Sequence, residues 1–168
     1  MRSRCASFYR PLNMDRTSKT RSVYFFKNTC HNCNNDIEFP LLGNFADNEF
    51  LMQTIDGKDY CIGIIVDNPT FNFVDNYLQD KGVEGFQRAT YIKQILRLLA
   101  DRTYNKEFSK SYPICPICQK LQTSYNDDVK TIVRDLSYAS WNDFDKLSLD
   151  KKLIKLKEAT SVQTPNFE

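Results

Sequence analysis

Two short motifs constrain this chain more than anything else in it: Cys30-His31-Asn32-Cys33 and Cys115-Pro116-Ile117-Cys118. Two residues between cysteines allow a tight turn that aims both sulfurs at one point, and two such turns supply the four thiolates of a tetrahedral structural zinc site. Asn34, just after the first pair, suits the left-handed backbone such turns use, while Pro113 and Pro116 stiffen the second. The spacing therefore assigns one structural Zn2+ to Cys30, Cys33, Cys115 and Cys118. Residues 34–114 separate the pairs, where a compact site has only about 15 to 20 residues. Loop-closure entropy grows only logarithmically with length, so this spacing is tolerable if the intervening segment folds on its own account.

The arrangement resembles the zinc-ribbon or zinc-knuckle class with a folded insertion between its halves, a resemblance that covers the two cysteine pairs and the strands flanking the first. Two rival uses of the cysteines stay open. Six cysteines could form disulfides, but the chain shows no export signal and no Asn-x-Ser/Thr acceptor. A thioredoxin-like redox pair would leave the second Cys-x-x-Cys without a role, and neither pair opens a patterned helix. Cys61 sits in an apolar strand and reads as a small buried hydrophobe, and Cys5 as incidental. His31, the single histidine, could replace a thiolate; because four thiolates already complete the shell, it is expected to face solvent.

Length and composition suit one domain with an ordinary core: 168 residues, 41% hydrophobic and 13% aromatic. Residues 1–21 hold six basic side chains against Asp15 alone and read as a flexible basic arm. An organelle transit segment or a true start at Met14 are the alternatives for it. Residues 22–160 are expected to form a single zinc-stabilised α+β domain, 34–114 being the insertion, with 161–168 a disordered tail. Ile62 to Val66, the longest aliphatic stretch, is broken by Gly63 and far shorter than the roughly 20 residues of a membrane span. A cytoplasmic, reducing location and no membrane partner are expected.

Hydrophobic periodicity sets out the elements. Ser22–Lys27, rich in β-branched and aromatic residues, predicts a strand leading into the first cysteine pair, and Asp36–Phe39 alternates as a second strand. Phe50–Ile55 and Tyr60–Val66 flank Asp56-Gly57, a hairpin signal. Asn68-Pro69 caps a short helix that ends at Gly82. A longer helix is predicted over Phe86–Tyr104, with Phe86, Ala89, Ile92, Ile95, Leu96 and Leu99 on its apolar stripe and Arg88, Lys93, Arg97 and Asp101 away from it. Further helices are predicted over Asp127–Ser140 and Leu149–Ala159, with fraying from about Thr160. The fold class is thus α+β: a small antiparallel sheet with a split, zinc-ribbon-like site of four cysteines, packed against three to four helices.

Chemistry beyond the metal is sparse. With one histidine there is no Ser/His/Asp triad, no His-dependent nuclease site and no zinc deaminase signature, and a four-thiolate shell leaves no position for water. The five glycines, at 43, 57, 63, 82 and 85, form no phosphate loop. Asp127-Asp128 reads as a helix start, and Asp143 and Asp145 as a solvated loop. No enzyme is expected. The first functional expectation is a non-catalytic protein-interaction module whose exposed aromatics anchor a partner protein. The alternative is a nucleic-acid-binding zinc-ribbon protein using the basic arm, Arg88, Lys93 and Arg97, and Lys151, Lys152, Lys155 and Lys157. Residues 22–168 carry 17 basic and 20 acidic side chains, which weighs against a duplex-binding face.

Overall fold

A computed structural model describes residues 20–42, 48–103, 105–122 and 130–161. Residues 1–19, most of the predicted basic arm, lie outside these, as do Asp127 and Asp128 and the tail beyond Ser161. Thr20 and Arg21 do not belong to an arm, because the first strand already begins there. The chain is α+β, with five strands in two antiparallel sheets and four helices among the described residues. The single sheet expected from the sequence is thus two.

β1 (Thr20–Thr29) is the centre of the first sheet, between β2 (Asp36–Leu41) and β5 (Lys130–Ser137). Its register with β2 runs from Tyr24 opposite Leu41 to Thr29 opposite Asp36, so the two strands form a hairpin whose turn is the first cysteine pair. Val23 and Phe25 are buried against Leu51, Ile62 and Leu136. β3 (Glu49–Gln53) and β4 (Tyr60–Ile64) form the second sheet, the hairpin predicted at Asp56-Gly57. Gly57 has φ +75°, which favours glycine, and Gly63 leaves the space the Phe50 ring fills: a Cβ there would lie 2.3 Å from that ring.

α1 (Pro69–Asp80) starts as expected: the Asn68 side chain accepts hydrogen bonds from the Thr70 and Phe71 N–H groups at 3.0 and 3.2 Å, with Pro69 at the first helical position. α2 (Gly85–Leu99) packs on α1 and α4 through Ile92, Ile95, Leu96 and Leu99. It stops at Leu99, before the predicted end at Tyr104, because Ala100 turns extended and Asp101 is engaged elsewhere. The Asp101 carboxylate accepts from the Asn142 and Asp143 N–H groups and the Ser140 hydroxyl, fixing the start of α3 (Asn142–Asp145). Asp143 and Asp145, expected in a loop, belong to this short helix, and Asp145 accepts from the Thr70 hydroxyl at 2.7 Å. α4 (Leu149–Ser161) buries Leu156 and Ala159 and continues through the point where fraying was expected.

The clearest departure lies at residues 130–137, predicted helical and found as strand β5. Val129, Ile132, Val133, Leu136 and Ala139 fit a helical stripe, but β1 has a second edge to satisfy, and Phe25 to Thr20 pair with Ile132 to Ser137 along it. Backbone pairing to a long neighbouring strand overrides the local period. Phe86 and Ala89 also leave their predicted places: α2 runs past the core at its first turn, and Phe86 is 89% exposed.

Candidate metal centre

Cys30, Cys33, Cys115 and Cys118 are brought together, with their sulfurs all within 4.8 Å of one another. The two turns that carry them are copies of one module. In the first, the Asn34 N–H donates to the Cys30 carbonyl (2.7 Å) and the Cys30 N–H to the Asn35 carbonyl (2.9 Å). In the second, the Gln119 N–H donates to the Cys115 carbonyl and the Cys115 N–H to that of Lys120, both at 2.9 Å. Asn34 and Gln119, each following the second cysteine of its pair, have φ values of 55° and 57°. Each module closes a small antiparallel pairing, Thr29 opposite Asp36 and Ile114 opposite Leu121. Asn34 was legible as a left-handed residue; Gln119 was not, although its place relative to Cys118 was the available signal.

The donor set fits a tetrahedral thiophilic ion. Cys30 and Cys118 sulfurs lie 3.7 Å apart and those of Cys33 and Cys115 3.8 Å; four sulfurs about 2.3 Å from a central zinc would be separated by about 3.8 Å. Cys30 and Cys115 are fully buried and Cys33 and Cys118 half-buried. Burial disfavours the Cys30 thiolate, but the Asn32 and Cys33 N–H groups, the Cys33 thiol and the Gln122 amide outweigh it and draw the thiol down to about 6. At Cys118 the Lys120 N–H favours the thiolate, yet burial and the three neighbouring sulfurs push it up to about 11. Four thiols this close do not ionise together without a cation among them.

The site is fastened to the rest of the fold by Gln53, a fully buried residue of β3 that sequence reading passed over. Its Oε1 accepts from the Ile114 N–H at 2.8 Å, and its Nε2 donates to the Ile114 carbonyl at 2.9 Å, so the side-chain amide pairs with the backbone as another strand would. Its other Nε2 hydrogen points to the Gly57 carbonyl (2.8 Å), with Tyr60 Oη sharing the donor at 3.2 Å. The Tyr60 hydroxyl donates in turn to the Glu38 carbonyl on β2, and burial raises its pKa. A Cβ on Gly57 would lie 2.8 Å from Pro116 Cα, so the hairpin turn rests directly on the second cysteine module. Ile37 and Phe39 complete the apolar shell of the sulfurs.

Among the described residues, none of the other candidates joins the four clustered sulfurs. His31 is exposed. Cys61 is buried in the helical core beside the Thr103 hydroxyl, its thiol pushed up by that burial, and Cys5 is outside the described residues. Among the basic residues, Arg88 is paired with Asp75 at 3.0 Å, and Lys152 lies over the rings of Phe73 and Phe144. Lys151, Lys155 and Lys157 lie on α4, the last two exposed and Lys151 likewise. Arg97, expected on the polar side of its helix, is buried; its Nη2 donates to the Leu51 carbonyl at 2.9 Å, because β3 presents that oxygen to α2. Comparison with known proteins finds no matching family model, no matching curated protein and no matching solved structure.

Proposed function

We propose that the chain is a non-catalytic protein-interaction module held in shape by one structural zinc ion, in a compartment that keeps its thiols reduced. Closure of the cluster carries this reading. Four sulfurs at the spacing of a tetrahedral edge leave no coordination position for water or substrate, so the metal sets shape and does no chemistry. The shape so fixed displays apolar side chains. Ile55 lies beside the hairpin turn and Ile117 and Leu121 on the second cysteine module, all exposed, where Gly57 and Pro116 bring the two turns together. Exposed apolar side chains on rigid turns suit a partner protein.

The alternative of nucleic-acid binding draws its support from the exposed Lys151, Lys155 and Lys157. One experiment separates the two. Elemental analysis is expected to give one zinc per chain, and Cys115→Ser to lose it together with the fold. The metal-loaded chain is then used as bait for a partner protein, and offered random DNA and RNA at low salt. A salt-sensitive gel shift without a protein partner overturns the interaction reading. Zinc retained by Cys115→Ser overturns the ligand set.

A further inference from the structure

Arg97 is the starting point, because it is a buried cation whose hydrogen-bond partners among the described residues are all neutral. Only 9% of it is exposed. Its Nε and Nη2 donate to the Leu51 carbonyl and its Nη1 to that of Lys110, which uses three of five N–H bonds and meets no carboxylate among the described residues. The guanidinium lies 5.4 Å from the Phe50 ring centroid and 5.9 Å from that of Tyr112. Burial lowers its pKa to about 10, an effect the Tyr112 hydroxyl partly offsets. A buried charge without a counter-ion is costly, and an anion supplied from outside relieves that cost.

Arg97 lines a groove of about 270 Å³ between α2 and the second cysteine module. Lys93 and Lys110 also line it, and no Asp or Glu does among the described residues. The larger cavity between α2, α3 and α4, by contrast, mixes Asp101, Glu107 and Asp143 with Arg102 and Lys155. A concavity of one sign stands out on a body that carries more acids than bases. Phe86 and Leu121 line the same groove and expose apolar surface.

We propose that this groove binds an acidic peptide segment of a partner protein, a carboxylate meeting Arg97 and Lys93 and a neighbouring apolar side chain resting on Phe86 and Leu121. The proposal rests on the protein-interaction reading above and names the chemistry of its partner. Two unused guanidinium N–H bonds suit the two oxygens of a carboxylate. A nucleic-acid strand fits less well, since it calls for a track of cations, and the next one along α2, Arg88, is already paired with Asp75.

The test selects random dodecapeptides displayed on phage against the zinc-loaded full chain, then follows a labelled enriched peptide by fluorescence anisotropy. Enriched sequences are expected to place Asp or Glu beside an apolar residue. Lys93→Glu is expected to weaken binding about tenfold or more, and Lys93→Arg to preserve it. Phe86→Ala is expected to weaken binding too. An unchanged urea midpoint for Lys93→Glu checks that the charge reversal leaves the fold intact. Enriched peptides without acids, or affinity indifferent to both Lys93→Glu and Phe86→Ala, overturn the groove while leaving the interaction reading standing. No enriched peptide at all overturns the groove. If a labelled 20-nucleotide dT strand binds instead and Lys93→Glu abolishes that binding, both readings fall.

Discussion

Replacing Gln53 by Leu isolates the fastening between the metal site and the sheet. The substitution keeps the buried volume approximately but removes every polar contact of the side chain. The Ile114 N–H and carbonyl lose their partner, and so does the Gly57 carbonyl, while Tyr60 keeps its bond to Glu38. Ile114 has no other recourse, because its pairing with Leu121 runs through Pro113, Cys115, Lys120 and Gln122 on either side. Each buried polar group left unsatisfied costs about 1–3 kcal/mol, so three give a loss of roughly 3–5 kcal/mol after partial relaxation. That is a large fraction of the roughly 5–15 kcal/mol typical of a domain. With a urea slope of about 2 kcal/mol/M, the midpoint of the metal-loaded protein should fall by about 2 M. Zinc transfer to a chromophoric chelator should also accelerate, since Ile114 precedes Cys115. A midpoint shift below about 0.5 M with unchanged transfer rate would refute the idea that Gln53 acts as a surrogate strand.

Other perturbations probe separate joints. Gly57→Ala should cost about 1–2 kcal/mol for the left-handed backbone alone and displace Pro116, so calorimetry should show a lower melting temperature and chelator competition a weaker metal affinity. Asn68→Ala should destabilise by about 1 kcal/mol or more through loss of the cap on α1, measured by urea unfolding. Asn68→Asp should not fully restore it, because a carboxylate can accept from the cap N–H groups but cannot replace the bond the Asn68 amide donates to the Ile64 carbonyl. Chelation of the metal should raise amide exchange in Asn28–Phe39 and Tyr112–Gln122 before it does so in Ile92–Leu99, whose packing belongs to the helical core; uniform exchange throughout would contradict this. Mild oxidation of the metal-free chain should link Cys30 to Cys118 and Cys33 to Cys115, whose sulfurs lie 3.7 and 3.8 Å apart, and peptide mapping by mass spectrometry would reveal any preference for links within each motif instead.

The parts of this fold legible in the sequence are those where local chemistry and tertiary packing agree. The cysteine motifs, the Asp56-Gly57 turn, and the Asn68-Pro69 start of α1 each carry their own geometric requirement, and each lies where its residues place it. Residues 130–137 were misread because their apolar spacing satisfies a helix as readily as a strand, and only the open edge of β1 decides between them. Arg97 was misplaced for a related reason: helical periodicity puts a cation on the outer face, but a carbonyl on β3 draws it inward. Gln53 carries no local signal at all, since its role depends on a backbone segment 61 residues further along the chain. The zinc reading of the cluster came from spacing within each pair; that both turns repeat the same bonds was signalled only by the equivalent places of Asn34 and Gln119 after their cysteines.

That repetition bears on the order in which the molecule assembles. The first cysteine module is the turn of a local hairpin, so β1 and β2 can present two thiolates early, at little cost in loop closure. The second module is held in place in part by Gln53 and Gly57, which presuppose the β3–β4 hairpin and the segment that follows α2, and in part by direct contacts to the first half, the Gln122 amide on the Cys30 sulfur and the Tyr112 hydroxyl on the Pro40 carbonyl. A half-site with two ligands holds a metal weakly, and full affinity arises when the distant pair docks. On the zinc reading, tight metal capture would be a late folding event, and occupancy of the site would report that the chain between its two halves has found its native arrangement.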